Sequence, residues 1–340
     1  MTALDWDIDG RDWPNRETSR FVRDGELTWH VQQMGRGPLM LLLHGTGAST
    51  HSWRDLMPLL ARDFTCVALD LPGHAFTRIK EDCAAPGRYL SLGGMAGSIA
   101  RLLASERLSP VHLVGHSAGA AIAAQLCLVE GLAPESIVSL NGAFFPLPGL
   151  QGLIFPSAAR VLATNSLAPR LFAWRASDPA AVRRLIAQTG SRLDARGEAL
   201  YARLVRNPAH VAAVLRMMAS WDVAPLTKRL AQSRQRLLLV AADNDWIVAP
   251  AQARHVRAMV AGATVTRVER CGHLAHEEAP EQVAQLLKHW CSSIASESGG
   301  TPKTAPSTHR EVDAAASLDL VRTVRQSSEL VELPMRVTAR

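Results

Sequence analysis

Apolar and polar positions alternate between two regimes along this chain. Leu39–Leu43 is continuously apolar, as expected of a strand covered on both faces; Thr65–Leu69 and Val111–Val114 read as further buried strands, and Ile137–Leu140, Arg236–Ala241 and Ala263–Val268 have strand character. Leu27–Gln32 alternates and predicts a first, half-buried strand. Trp53–Leu60, Leu92–Glu106, Ala120–Leu128 and Pro280–Ile294 have helical spacing and fall between those runs. Strands separated by helices imply a parallel sheet, because a parallel connection needs a crossover.

The alternation stops between residues 143 and 230. That stretch has no strand-like run, only amphipathic helical segments punctuated by Pro146, Pro148, Pro156, Pro169, Pro179, Pro208 and Pro225. We expect a helical lid there, lying over the carboxyl ends of the strands, where open α/β sheets bind ligands. The domain plan is then a polar N-terminal extension over 1–26 and a core over 27–142 and 231–294, with the lid at 143–230. Residues 295–340 form a tail whose Ser296–Ser307 segment reads as a flexible linker. Leu318–Val324 is one marginal helix in that tail. No internal repeat is visible.

Composition adds limits. A chain of 340 residues, 47% hydrophobic and 20% charged, can bury a full core and reads as an ordinary globular protein. No run reaches the roughly 18 apolar residues of a membrane span. The acidic opening Met1–Gly10 lacks the basic head and apolar middle of a secretory signal. Five scattered cysteines with no Cys-x-x-Cys spacing argue against a zinc site and for a reducing compartment, with the cytosol as the expected location. The net charge of +6 is carried by no nucleic-acid-binding motif. It is concentrated in the insertion, where twelve Lys and Arg face four Asp and Glu, leaving +8. Such a surface attracts a carboxylate-bearing substrate or an anionic membrane surface. Arginines that merely solvate outward helix faces would give the same count.

The chemistry centres on Gly115-His116-Ser117-Ala118-Gly119, a G-x-S-x-G sequence between a strand and a helix. A turn sharp enough to lift a serine hydroxyl off the sheet edge forces unusual backbone angles and leaves room only for tiny neighbours. Serine is a weak nucleophile until a base takes its proton. The candidate base is His273, after the last strand, with His276 as the alternative; the candidate orienting acid is Asp245, after the preceding strand, with Asp243 as the alternative. The order Ser, Asp, His is that of α/β-hydrolases, and all three fall on loops at one end of the sheet. The backbone N–H groups of Ala118 and Thr46 are the candidate oxyanion donors. His44, His74 and His116 read as structural. Phe144, Phe145, Trp174, Met218, Trp221 and Trp246 are candidate lining for an apolar substrate pocket, although aromatic and Met residues at such positions equally suit a packed core. No helical His pair with a carboxylate partner indicates a metal, and no Gly-rich dinucleotide fingerprint follows the first strand, so no cofactor is expected.

These residues resemble the α/β-hydrolase superfamily across roughly residues 27–294. More narrowly, Asp12-Trp13-Pro14-Asn15-Arg16, His44 to Arg54 (His-Gly-Thr-Gly-Ala-Ser-Thr-His-Ser-Trp-Arg) and Asp70-Leu71-Pro72-Gly73-His74 resemble BchO-type proteins of bacteriochlorophyll biosynthesis, described as magnesium-chelatase accessory proteins. Ala75 stands where such proteins often carry Gly. The resemblance implies a phototrophic bacterium, a place near Mg²⁺ insertion into protoporphyrin IX, and magnesium-chelatase subunits as partners. Two functions follow from it. One is an esterase-like serine hydrolase acting on a tetrapyrrole or related pigment intermediate; the other is a non-catalytic accessory factor that binds the porphyrin or the chelatase. An epoxide or haloalkane hydrolase fits less well, because Ser117 occupies the position where those enzymes need a carboxylate.

Overall fold

A computed structural model describes residues 3–146, 162, 165 and 167–298. Its centre is a nine-stranded sheet. The strands are β1 (Ser19–Asp24), β2 (Leu27–Met34), β3 (Leu39–Leu43), β4 (Thr65–Leu69), β5 (Arg78–Ile79), β6 (His112–His116), β7 (Ser136–Leu140), β8 (Arg236–Ala242) and β9 (Thr264–Val268). Their order is β1-β2-β4-β3-β6-β7-β8-β9, with the two-residue β5 beside β2. From β4 through β9 every pairing is parallel, whereas β1, β2 and β5 join antiparallel at one edge.

The continuous apolar strands are explained by two buried faces. Leu41, Leu43, Val67, Leu69, Leu113, Ile137, Leu237 and Leu239 point to one side, against α2 (Leu92–Ser105), α3 (Ala118–Leu128) and α9 (Ala251–Met259). Their alternating neighbours Met40, Leu42, Cys66, Ala68, Val114, Val138, Leu238 and Val240 point to the other, against α1 (Leu56–Leu60) and α11 (Pro280–Ser298). Period-two alternation thus serves two cores at once.

Two expectations change at the N-terminus. The sheet begins at Ser19, not Leu27, because Ser19–Asp24 pairs with β2 as an edge strand. Its Arg20, Arg23 and Asp24 suit an edge, where charge blocks pairing with other chains. The polar lead-in is also part of the body: Leu4 and Trp13 are buried with Phe76, Leu200 and Leu204.

Between β7 and β8 lie α4 (Ala168–Arg175), α5 (Pro179–Ala187), α6 (Ala195–Val205), α7 (Pro208–Ala219) and the short α8 (Ala224–Thr227). Prolines open α4, α5, α7 and α8 within their first two positions, where a missing N–H costs nothing. Asp178, Asp194 and Asn207 cap α5, α6 and α7 by accepting from backbone N–H groups. The short α10 (Ala275–Glu278) precedes α11. Among the described residues, no helix is long and apolar enough to cross a membrane. Leu318–Val324 and the rest of 299–340 lie outside the described residues.

Candidate active site

Ser117 sits between β6 and α3 with φ 52° and ψ −116°, a conformation that side-chain-bearing residues rarely adopt. The surrounding structure holds it there. Its N–H donates to Leu140 O (3.0 Å), and its carbonyl accepts from Ala120 N and Ala143 N (3.1 Å each). A Cβ on Gly119 would collide with the Leu43 and His44 carbonyls, and one on Gly115 would collide with the first turn of α3. The turn closes only because these positions carry hydrogen.

His273 and Asp245 meet. His273 Nδ1–H donates to Asp245 Oδ2 at 2.7 Å, with both residues buried. Asp245 Oδ1 accepts from Ile247 N and Val248 N at 2.8 Å each, which fixes the carboxylate against its own loop. Occupying Nδ1 leaves Nε2 of the neutral ring as an acceptor, the tautomer that general-base work requires. Asp243 instead pairs with Arg267 (2.6 Å) on the outer surface. His276 is buried against the rings of Trp53 and His116. The pair is tied to the elbow through the residue before Ser117: the His116 ring packs on that of His273 (4.7 Å between centroids), and His116 Nε2–H donates to His273 O at 2.9 Å. Among the described residues, no hydrogen bond joins the Ser117 hydroxyl to His273. Such bonds often tighten only when substrate is bound.

The N–H groups of Thr46 and Ala118 have no intramolecular acceptor among the described residues. Gly45 brings the Thr46 loop against the elbow, since a Cβ there would meet His116 Nδ1 at 2.8 Å and Ser117 Cβ at 3.0 Å. His44 braces the loop by donating from Nδ1 to Gly45 O (2.8 Å) and accepting at Nε2 from Leu71 N (2.9 Å). Asp70, in the Asp-Leu-Pro-Gly-His stretch, accepts from Thr50 N (2.7 Å), Phe76 N (3.1 Å) and His30 Nδ1 (2.8 Å). Burial alone would raise this carboxyl, but its partners hold it down at about 2.

The inserted helices supply groups that reading the sequence missed. His210, on α7, accepts from Ala75 N at Nδ1 (3.1 Å) and donates from Nε2 to Gly47 O (3.2 Å), joining the loops after β3 and β4. Burial lowers its pKa to about 4, so it bridges as a neutral ring. The connection from α5 to α6 reaches the His273 loop. Thr189 O accepts from His273 N (3.1 Å) and Ser191 Oγ from Leu274 N (2.8 Å). Asn141 Nδ2 donates to His273 O (2.9 Å), while Asn141 Oδ1 accepts from Ala242 N (2.8 Å). No local signal marks these residues, because each acts through the backbone of a distant segment. The Asp12-Trp13 stretch ties the lead-in to the same region: Asp12 pairs with Arg203 on α6 (2.7 Å), and Trp13 Nε1–H donates to Thr50 Oγ1 (3.1 Å).

The six residues suggested as pocket lining occupy different environments. Phe144 is fully buried in the core and Trp221 packs against that core. Phe145 is half-buried beside the His255 ring, and Met218 is half-buried on α7. Trp174 and Trp246 are 69% and 72% exposed. A cleft of about 550 Å³ is lined by Glu26, Arg88, Tyr89 and Arg101, with none of Ser117, Asp245 or His273 in its wall.

A sequence profile described as "Alpha/beta hydrolase family" matches residues 40–286. The chain belongs to that family. Among curated relatives of this hydrolase-family chain is the magnesium-chelatase 30 kDa subunit of Rhodobacter capsulatus, 34% identical over 82% of this chain and 96% of that protein. Pyrrolizixenacetamide deacetylase of Xenorhabdus hominickii is 27% identical over 80% of this chain and 97% of its own length. Among solved structures, an alpha/beta hydrolase fold protein from Burkholderia ambifaria superposes with a TM-score of 0.67 at 23% identity. It covers 79% of this chain and 97% of that one, a likeness of fold alone.

Proposed function

We propose that this chain is a serine hydrolase of the carboxylic-ester type, acting on a tetrapyrrole intermediate of bacteriochlorophyll biosynthesis near the magnesium-chelatase step. Ser117 Oγ attacks the ester carbonyl while His273 Nε2 takes its proton. The N–H groups of Ala118 and Thr46 stabilise the oxyanion. His273 then returns the proton to the leaving alcohol, and a water activated by the same imidazole releases the acyl group. Asp245 holds the tautomer throughout. The observation that carries this reading is the buried 2.7 Å bond from His273 Nδ1–H to Asp245, with the His273 ring packed on that of His116, the residue before a serine in a strained turn. A protein that only binds has no use for an oriented imidazole there.

A second reading is an accessory factor that binds protoporphyrin or chelatase subunits without catalysis. It is favoured by the chelatase-subunit relative and by the lack of a Ser117–His273 hydrogen bond among the described residues. A fluorophosphonate probe separates the two. The hydrolase reading expects labelling of the native chain and none of Ser117→Ala. Absence of labelling in both, with tight protoporphyrin binding retained by Ser117→Ala, establishes the binder instead.

A further inference from the structure

The helix α4 is amphipathic the wrong way round. Its buried positions are small, namely Ala168, Pro169 and Ala173, and they face the body of the protein. Its large apolar residues face outward: Leu167, at its N-cap, is 65% exposed, Leu171 62%, Phe172 44% and Trp174 69%. At about 100° per residue, Leu167, Leu171 and Trp174 share one narrow stripe opposite Pro169 and Ala173. A helix whose only apolar solvent were the protein core would turn these residues inward. Continuous exposure of this kind marks a surface that something else covers.

The flanks of the stripe identify what covers it. Arg170 lies on one side and Arg175 on the other, both exposed, and α4 carries no acidic side chain. Exposed Arg183 and Arg184 follow on α5. An apolar stripe containing Trp, flanked by an arginine on each side, is the arrangement of a helix lying in a lipid interface. Its rings and aliphatic chains enter the acyl boundary, and its guanidinium groups reach the headgroup phosphates. A second copy of the chain fits poorly, because a two-fold contact along this stripe would bring the same arginines towards one another.

We propose that α4 is an interfacial anchor that docks this protein on an anionic lipid surface. The anchor does not depend on the acyl chemistry proposed above, and its test leaves that chemistry untouched. The full chain is sedimented with vesicles of phosphatidylcholine alone and of equal parts phosphatidylcholine and phosphatidylglycerol. It binds the anionic vesicles, releases them as salt is raised, and shows a blue shift in tryptophan emission that Trp174→Phe removes. Leu171→Ser with Trp174→Ser weakens binding by about tenfold or more, and Arg170→Glu with Arg175→Glu removes the preference for the anionic lipid. All four side chains are exposed, so unchanged thermal melting verifies that the variants fold. Three results overturn the proposal: no binding to the anionic vesicles, equal binding by both double variants, or a concentration-dependent dimer that Leu171→Ser with Trp174→Ser dissolves.

Discussion

The elbow helix α3 and the inserted helix α4 are both rich in apolar residues, yet they treat them in opposite ways. From Ala118 to Ala124 every residue of α3 is buried, mostly alanine and glycine pressed against β3, β6 and β7. In α4 the alanines are inside and Leu171 and Trp174 are outside. The contrast teaches that hydrophobicity alone does not say which way a helix faces. Close approach of backbones selects small residues in both helices, and large ones go wherever a second apolar phase is present. Through Ala124 nothing of α3 protrudes, because it packs between the sheet and α2; in α4 the large side chains stand in solvent.

This contrast can be broken first on the elbow side. In Gly119→Ala the new methyl would meet the Leu43 carbonyl, which belongs to the central strand and cannot retreat. The expected loss exceeds about 4 kcal/mol, seen as failure to recover soluble protein or as a collapsed denaturation midpoint. A smaller effect is expected where insertion and core share a buried carboxyl group. Burial raises Glu277, which accepts from Tyr201 of α6 at 2.7 Å, from 4.5 to about 8. The folded state therefore holds this proton more tightly than the unfolded chain. Its stabilising contribution is complete below about pH 4.5 and is lost as pH rises through about 8. Glu277→Gln should flatten the fall in stability over that window, measured by urea unfolding at several pH values. His210 and His276, depressed by burial to about 4 and about 3, act with the opposite sign and weaken the fold as pH drops below 6.5.

His210→Ala orphans the Gly47 carbonyl and the Ala75 N–H and should cost about 1–3 kcal/mol in unfolding free energy. Under the proposed chemistry it should also lower kcat, since Gly47 follows the oxyanion donor Thr46. The smallest effect belongs to α4. Leu171→Ser should leave stability within about 0.5 kcal/mol of the native chain, because the side chain is already in water. A large loss there would show that α4 packs as α3 does.

Legibility followed the same division. The strands β3, β4, β6, β7 and β8 were readable because a strand buried on both faces must be apolar at successive positions, whereas β9, the far edge strand, is only partly buried and mixes Val with polar residues. Strand β1 was not, since Ser19–Asp24 is an edge strand of mixed polarity, and Leu4 and Trp13 looked like isolated apolar residues in a polar lead-in. At the site, the pentapeptide around Ser117 signals its own geometry, because only Gly and Ala tolerate that turn. The choice between Asp243 and Asp245 depends on which way two residues of one loop point: Asp243 goes to Arg267 and Asp245 to His273. His210, Ser191 and Asn141 left no trace in the sequence, because their partners lie up to 163 residues away and include backbone atoms, which no residue type announces.

The central claim is that His273, oriented by Asp245, makes Ser117 nucleophilic. It is tested by incubating the native chain and His273→Ala with an activated acyl ester and mapping the trapped acyl group by peptide mass spectrometry. The account predicts acylation at Ser117 in the native chain, slowed by at least about a thousandfold in the variant. Equal acylation rates in the two proteins, or an acyl group carried elsewhere than Ser117, would contradict it.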